Sequence, residues 1–284
     1  MSVGAPTAPP AGGLAQRSPP SALESLRVVV RRGLLDRRRS VLIWGVSIGA
    51  LCGFMAAIYP SIQSSIEQMV KSYPSAFKQA FDVGSMDTVE GYVHAEMFSL
   101  IVPLALGFFA IRAVAGATVG AEERGLLDTV LALPISRRVL IGGAYLVAAV
   151  DCAAIMVLTG AITFLVGRIA GTHISLGLVM AGVMGVWPLA LFFAGVSALA
   201  SGALHSARIV NGISVGLLIA MYAVDLAGRL AHALAPIRWA SAFRYYGAPM
   251  LDGIDPLSFL GLTAVGALLM IVGALLLERR DILQ

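Results

Sequence analysis

Six stretches of apolar residues, at 41–59, 97–119, 139–166, 176–203, 209–226 and 257–277, set the terms for everything else in this 284-residue chain. A helix rises about 1.5 Å per residue, so about 20 apolar residues cross a hydrocarbon core about 30 Å thick. Lipid offers no partner for a backbone N–H or C=O, so a stretch of this kind crosses the membrane as a helix. Composition agrees: 58% of residues are hydrophobic and 13% charged, against about 25% charged in a soluble domain. The chain therefore reads as an all-α membrane protein with about six transmembrane helices.

Residues 1–20, rich in Pro, Ala, Gly and Ser, lack the apolar content to order themselves and read as a loose tail. A cleaved signal needs its apolar core within the first 15 to 30 residues or so. Here that core begins near Val41, behind seven arginines, so no cleavage is expected. Across 21–39, Leu23, Leu26, Val30 and Leu34 fall on one helical stripe edged by Arg27 and Arg31. That pattern suits an amphipathic helix lying in the membrane surface, or an ordinary solvated basic helix. Residues 40–284 then form the six-helix domain.

Cytoplasmic loops keep Lys and Arg. With the N-terminus inside, the inner segments hold thirteen of these residues and the outer segments six, with Arg112 inside a span and counted on neither side. Both termini are then cytoplasmic. Outside, the aromatic and basic residues Arg238, Trp239, Phe243, Arg244, Tyr245 and Tyr246 mark an interfacial segment. Short helices dipping partly into the outer leaflet fit it, as does a simple loop.

Several chemistries are excluded. No GxxxxGK[ST] loop exists to cradle phosphate, because Lys71-Ser72 lacks the glycines. No HExxH is present, and His94, His173, His205 and His232 are scattered. Cys52 and Cys152 lie within spans without CxxC spacing, as buried apolar residues. An intramembrane serine protease needs a histidine to meet its serine; Ser201 is a candidate nucleophile, but the last span has no histidine. Glu122-Glu123 is like the glutamate pair of intramembrane metalloproteases, yet Leu127 stands where arginine belongs. Catalytic and metal-binding residues are thus expected to be absent.

What is present is the loop after the second span: Glu122-Glu123-Arg124-Gly125-Leu126-Leu127-Asp128, then Leu131, Pro134, Ser136, Arg137 and Arg138. Leu126, Leu127, Val130, Leu131 and Leu133 make an amphipathic helix too short to span, which Pro134 ends before Ser136 caps the third span. Its exposed apolar face calls for a partner or the membrane surface. The loop resembles that of the type-2 ABC transporter permeases, in which a glutamate pair, a glycine, a leucine-rich helix and a Pro-x-Ser-Arg turn stand between the second and third spans. The stretch from Arg238 to Gly247, followed by Pro249 and Asp252-Gly253, and the ending Glu278-Arg279-Arg280-Asp281 are similar to the same family. Among its members the chain looks most like antibiotic and multidrug exporters.

The resemblance implies a permease subunit of an ATP-driven exporter, forming the translocation path. It further implies that Glu122, Glu123, Gly125, Leu126, Leu127, Asp128, Leu131, Pro134, Ser136 and Arg137 form the coupling segment for a separate ATPase. ATP and Mg would sit on that partner, with no cofactor on this chain, and a second permease copy or homologue would complete the path. A gradient-driven carrier, or a membrane assembly or sensor subunit, are the rival readings. A carrier is expected to place an ionisable relay in its spans, where the sequence has chiefly Arg112, Asp151 and Asp225. Arg112 and Asp151 fall at similar depths on consecutive helices, so a salt bridge between them is expected. Otherwise either one lines the path, or Arg112 snorkels beside a protonated Asp151.

Overall fold

The computed structural model describes residues 22–72, 85–125 and 136–279. It is helical throughout, with no strand among these residues. In chain order stand α1 (Ala22–Ser72), α2 (Val89–Val93) with a π-helical turn (His94–Phe98), α3 (Ile101–Ala117), α4 (Val119–Glu123), α5 (Arg137–Ile169) and α6 (Leu176–Ala203). There follow α7 (Ala207–Leu230), a 3-10 segment (His232–Ala240), α8 (Ala242–Tyr246), α9 (Pro249–Asp252) and α10 (Pro256–Arg279).

α1 differs from expectation. The amphipathic helix foreseen over 21–39 has no separate existence; it is the start of a 51-residue helix that runs unbroken through the first span. At about 1.5 Å per residue α1 is about 75 Å long, far more than a bilayer needs. Packing explains the continuity. Val29 meets Gly143, Gly33 meets Val147, Gly45 meets Leu158, and Gly53 meets Val166, so the two helices keep an offset of 113 to 114 residues along this whole length. α1 and α5 therefore run parallel, and the N-terminal part of α1 continues along α5 instead of turning to lie across the membrane surface. Gly45, Gly49 and Gly53, one turn apart, let the backbones approach: a Cβ on Gly49 would stand 3.0 Å from Ile162 Cβ. Small residues at such spacing drive helix association where no hydrophobic force distinguishes protein from lipid.

That parallel pairing also fixes the span count. Five helices are individually long and apolar enough to cross a membrane, and α2 with its π turn forms a sixth with α3, bent by 44°. The chain can reach the start of α5 beside the start of α1 only by crossing back, and α3 makes that crossing. The second span, expected as one run over 97–119, is broken near Ser99 and again at Thr118.

α6 carries no charge and is apolar on every side, so it takes the middle. α3 and α10 run parallel to it: Ser197 Oγ donates to the Ile111 carbonyl at 3.0 Å, while Gly195 meets Gly266 and Gly202 meets Gly273, backbone against backbone. The break foreseen near His205 is a tight turn between α6 and α7.

Candidate functional site

At the face of the bundle where α1 begins, α3 ends in an irregular Thr118 (φ −106°, ψ −100°). The Thr118 hydroxyl donates to the Val114 carbonyl at 2.8 Å and reaches Ser201 Oγ at 3.0 Å, pinning the break to α6. α4 then carries Glu122 and Glu123. Glu123 Oε1 accepts the Ala207 N–H at 2.9 Å; as the N-cap residue Ser206 makes no side-chain bond of its own, the glutamate satisfies a donor at the start of α7. Ala115, Val119 and Val210 form a small separate core beside this contact, with Ala200, Leu204 and Ala207 around it. Arg124 donates to the Gly116 carbonyl at 3.0 Å, and Gly125 turns the chain away at φ +65°, where glycine alone is unstrained.

Of the coupling residues read from sequence, Leu126, Leu127, Asp128, Leu131 and Pro134 lie outside the described residues. Gly125 and Ser136 bracket that stretch. Ser136 is the N-cap foreseen for the third span, its Oγ accepting the Val139 N–H at 3.4 Å. Arg137 opens α5, and next to it Arg138 pairs with Glu278 near the end of α10. This face thus gathers the ends of α3, α5, α6, α7 and α10.

The expected pair Arg112–Asp151 does not form. Asp151, with its side chain 3% exposed, is held by Arg37 of α1 at 2.8 Å. Arg37 also donates to the Ala113 carbonyl at 3.3 Å and lies over the Phe109 ring at 5.2 Å. Depth alone matched Arg112 to Asp151, but azimuth decides: α5 turns Asp151 toward α1, with which it shares its register. Arg112 is exposed, its guanidinium 6.0 Å from the Phe108 ring centroid on the uncovered side of α3.

On the opposite face the segment from Arg238 to Tyr246 divides into anchors and exposed groups. Arg238 reaches Asp225 Oδ1 at 2.8 Å while Arg229 holds Oδ2 at 2.7 Å. Phe243 packs 5.4 Å from Tyr222 and 6.1 Å from Phe193, and the Tyr246 hydroxyl donates to the Phe98 carbonyl at 3.0 Å. Ser241 Oγ donates to the Met221 carbonyl, nine residues before α7 ends at Leu230, or about 14 Å back along that helix. The chain therefore folds back down beside α7 after leaving it. Trp239 and Tyr245 stay exposed and Arg244 is half-buried beside them.

Sequence reasoning missed Arg37, which hid among solvated arginines, and Glu123's bond to α7. The i,i+4 spacing of Asp225 and Arg229 was a usable signal for one ion pair. The described residues hold no cluster of His, Cys, Asp or Glu fit for a metal ion.

A comparison with curated proteins gave no match. Residues 33–277 match the family described as "Multidrug efflux system permease Rv1217c, C-terminal domain". The match covers most of the chain, and with at least five helices long and apolar enough to cross a membrane it makes the chain a multi-pass membrane permease that belongs to that multidrug efflux family.

Proposed function

We propose that the chain is the membrane subunit of a type-2 ATP-binding-cassette exporter, driven by a separate ATPase that binds at the face where α1 begins. In this reading that face is cytoplasmic, in a bacterial inner membrane. The observation that carries it is the bond from Glu123 to the start of α7. Gly125, where the described residues stop, lies two positions beyond this glutamate, so a load applied to the stretch that follows it would reach α4, the Thr118 break and α7 together. A partner docking there is able to shift the second and fifth spans as a unit.

Arg112 supports a path built between two copies. A charge at mid-span costs about 2.5–3.5 kcal/mol unless it finds a partner or water, and α3 offers Arg112 none among the described residues. A second permease facing it encloses a polar path and relieves that cost. ATP and Mg belong to the ATPase in this scheme. The gradient-driven alternative loses ground, since Asp151 and Asp225 are both tied to arginines.

The test is co-expression with an ATPase encoded beside it. The purified chain alone is expected to hydrolyse no ATP, and the complex to do so. Leu131→Asp places a carboxylate on the docking face, where burial is costly, and is expected to abolish pulldown while leaving the permease in the membrane. Glu123→Ala is expected to keep pulldown but lose substrate-stimulated turnover, with Glu123→Gln, which retains the acceptor oxygen, restoring part of it. ATP turnover by the isolated chain, or unaltered pulldown and transport by Leu131→Asp, overturns the assignment.

A further inference from the structure

Between the returning segment and the first turns of α10 lies a groove of about 470 Å³, lined chiefly by Phe192, Ala242, Tyr245, Leu257, Gly261 and Val265. Its size lies within the range of ligand pockets, about 300–1,000 Å³. The walls are nearly all apolar, and Gly261 leaves open space where another residue would place a Cβ. Leu257 is 81% exposed at the mouth. In a multi-pass membrane protein such a surface faces lipid.

One rim is cationic. Tyr245, which lines the groove, donates its hydroxyl to the Trp239 carbonyl at 3.3 Å, and the neighbouring Arg244 stacks its guanidinium 4.0 Å from the Trp239 ring centroid. Arg244 has no carboxylate partner among the described residues, so its N–H edges remain available. Asp255, the residue before α10, is already engaged: it accepts the Leu257 and Ser258 N–H groups at 3.2 Å. Hydrogen bonding from the Ser258 side chain foremost, then from these two N–H groups, holds its carboxyl below the ordinary carboxylate range. A tryptophan and an arginine at the edge of an apolar groove match the two ends of a phospholipid: ring at the interface, guanidinium on phosphate, chain in the groove.

We propose that this groove is a phospholipid site, with one acyl chain against Phe192, Gly261 and Val265 and the headgroup phosphate on Arg244. The site is independent of ATPase coupling and of which way the chain faces. A phospholipid suits it better than a helix of a second copy, because the apolar walls end at a positive rim that asks for an anion.

Native mass spectrometry of the detergent-purified full chain, delipidated and then titrated with phosphatidylglycerol, tests this. Gly261→Leu, at a position where an added Cβ meets nothing within 4 Å, puts a side chain into the groove and is expected to weaken phosphatidylglycerol binding about tenfold, as is Arg244→Ala. Diacylglycerol of the same chain length is expected to bind wild type more weakly and to be indifferent to Arg244→Ala, while inorganic phosphate does not compete. Both variants must elute as monodisperse protein. Unaltered phosphatidylglycerol binding in both variants overturns the proposal, as does efficient disulfide cross-linking of Gly261→Cys between two chains, which would make the groove a subunit interface.

Discussion

Arg37→Ala is expected to lower the stability of the folded chain by about 3–5 kcal/mol, the scale of a buried ion pair broken on one side. The variant leaves Asp151 with a side chain 3% exposed and no cation within reach. It also frees the Ala113 carbonyl and uncovers the Phe109 face, so α1, α3 and α5 lose their common anchor. Asp151→Asn is expected to be milder. It keeps the volume and one acceptor, and Arg37, a quarter exposed, still has Ala113 and Phe109. Replacing both residues by leucine removes the two buried charges together and is expected to recover much of the loss, because a buried pair can be exchanged for apolar packing at little net cost. Arg112→Ala removes a charge that has no carboxylate partner among the described residues, so it is expected to melt no lower than wild type. Melting of the detergent-purified variants, read as the monodisperse fraction after heating, separates these cases. Arg112→Ala falling as far as Arg37→Ala would restore the pairing that the geometry rejects.

This pair also marks what a sequence of this kind reveals. The spans were legible because lipid imposes length and apolarity on each helix separately, and neither depends on its neighbours. Ser136 was legible for the same reason, since an N-cap acts within one turn. Arg37 was not. It stands in a run of three arginines that reads as solvated, and only the register of α1 against α5 turns it, and not Arg38 or Arg39, toward Asp151. Glu123 poses the same difficulty: its partner is 84 residues away in sequence. The outer segment was half legible. Its aromatic and basic content pointed to an interface, but which of its side chains face Asp225 and Phe193 and which stay out depends on the chain folding back beside α7. The expected break at residue 39 failed because a helix followed by a span has no reason to stop unless something ends it, and α5 supports both parts.

Gly266→Leu is expected to prevent the folded bundle from accumulating, and Gly266→Ala to destabilise it clearly. α6 and α10 touch through backbone: a Cβ on Gly266 would lie 2.6 Å from the Leu191 oxygen and 3.0 Å from Phe192 Cα, and one on Gly273 would lie 2.7 Å from the Ala198 carbonyl carbon. Gly195 and Gly202 face the same seam from α6, each against the backbone of its counterpart on α10. A flexible side chain could swing away from such an intrusion, whereas a carbonyl in a helix cannot. The helices must then separate, and close packing along the whole seam, the main force holding helices together in lipid, is lost with it. Overpacking of a tight core costs about 1–3 kcal/mol and occasionally more, and α6 touches α3, α5 and α7 as well, so a displaced α6 disturbs every span around it. Gly142→Ala supplies the opposite sign. Its Cβ would meet nothing within 4 Å, so the substitution keeps only the gain in helix propensity, up to about 1 kcal/mol. Thermal stability in detergent is therefore expected to rise slightly for Gly142→Ala, fall for Gly266→Ala and be unmeasurable for Gly266→Leu. If Gly266→Leu yields monodisperse protein that melts with wild type, α6 and α10 do not pack backbone to backbone.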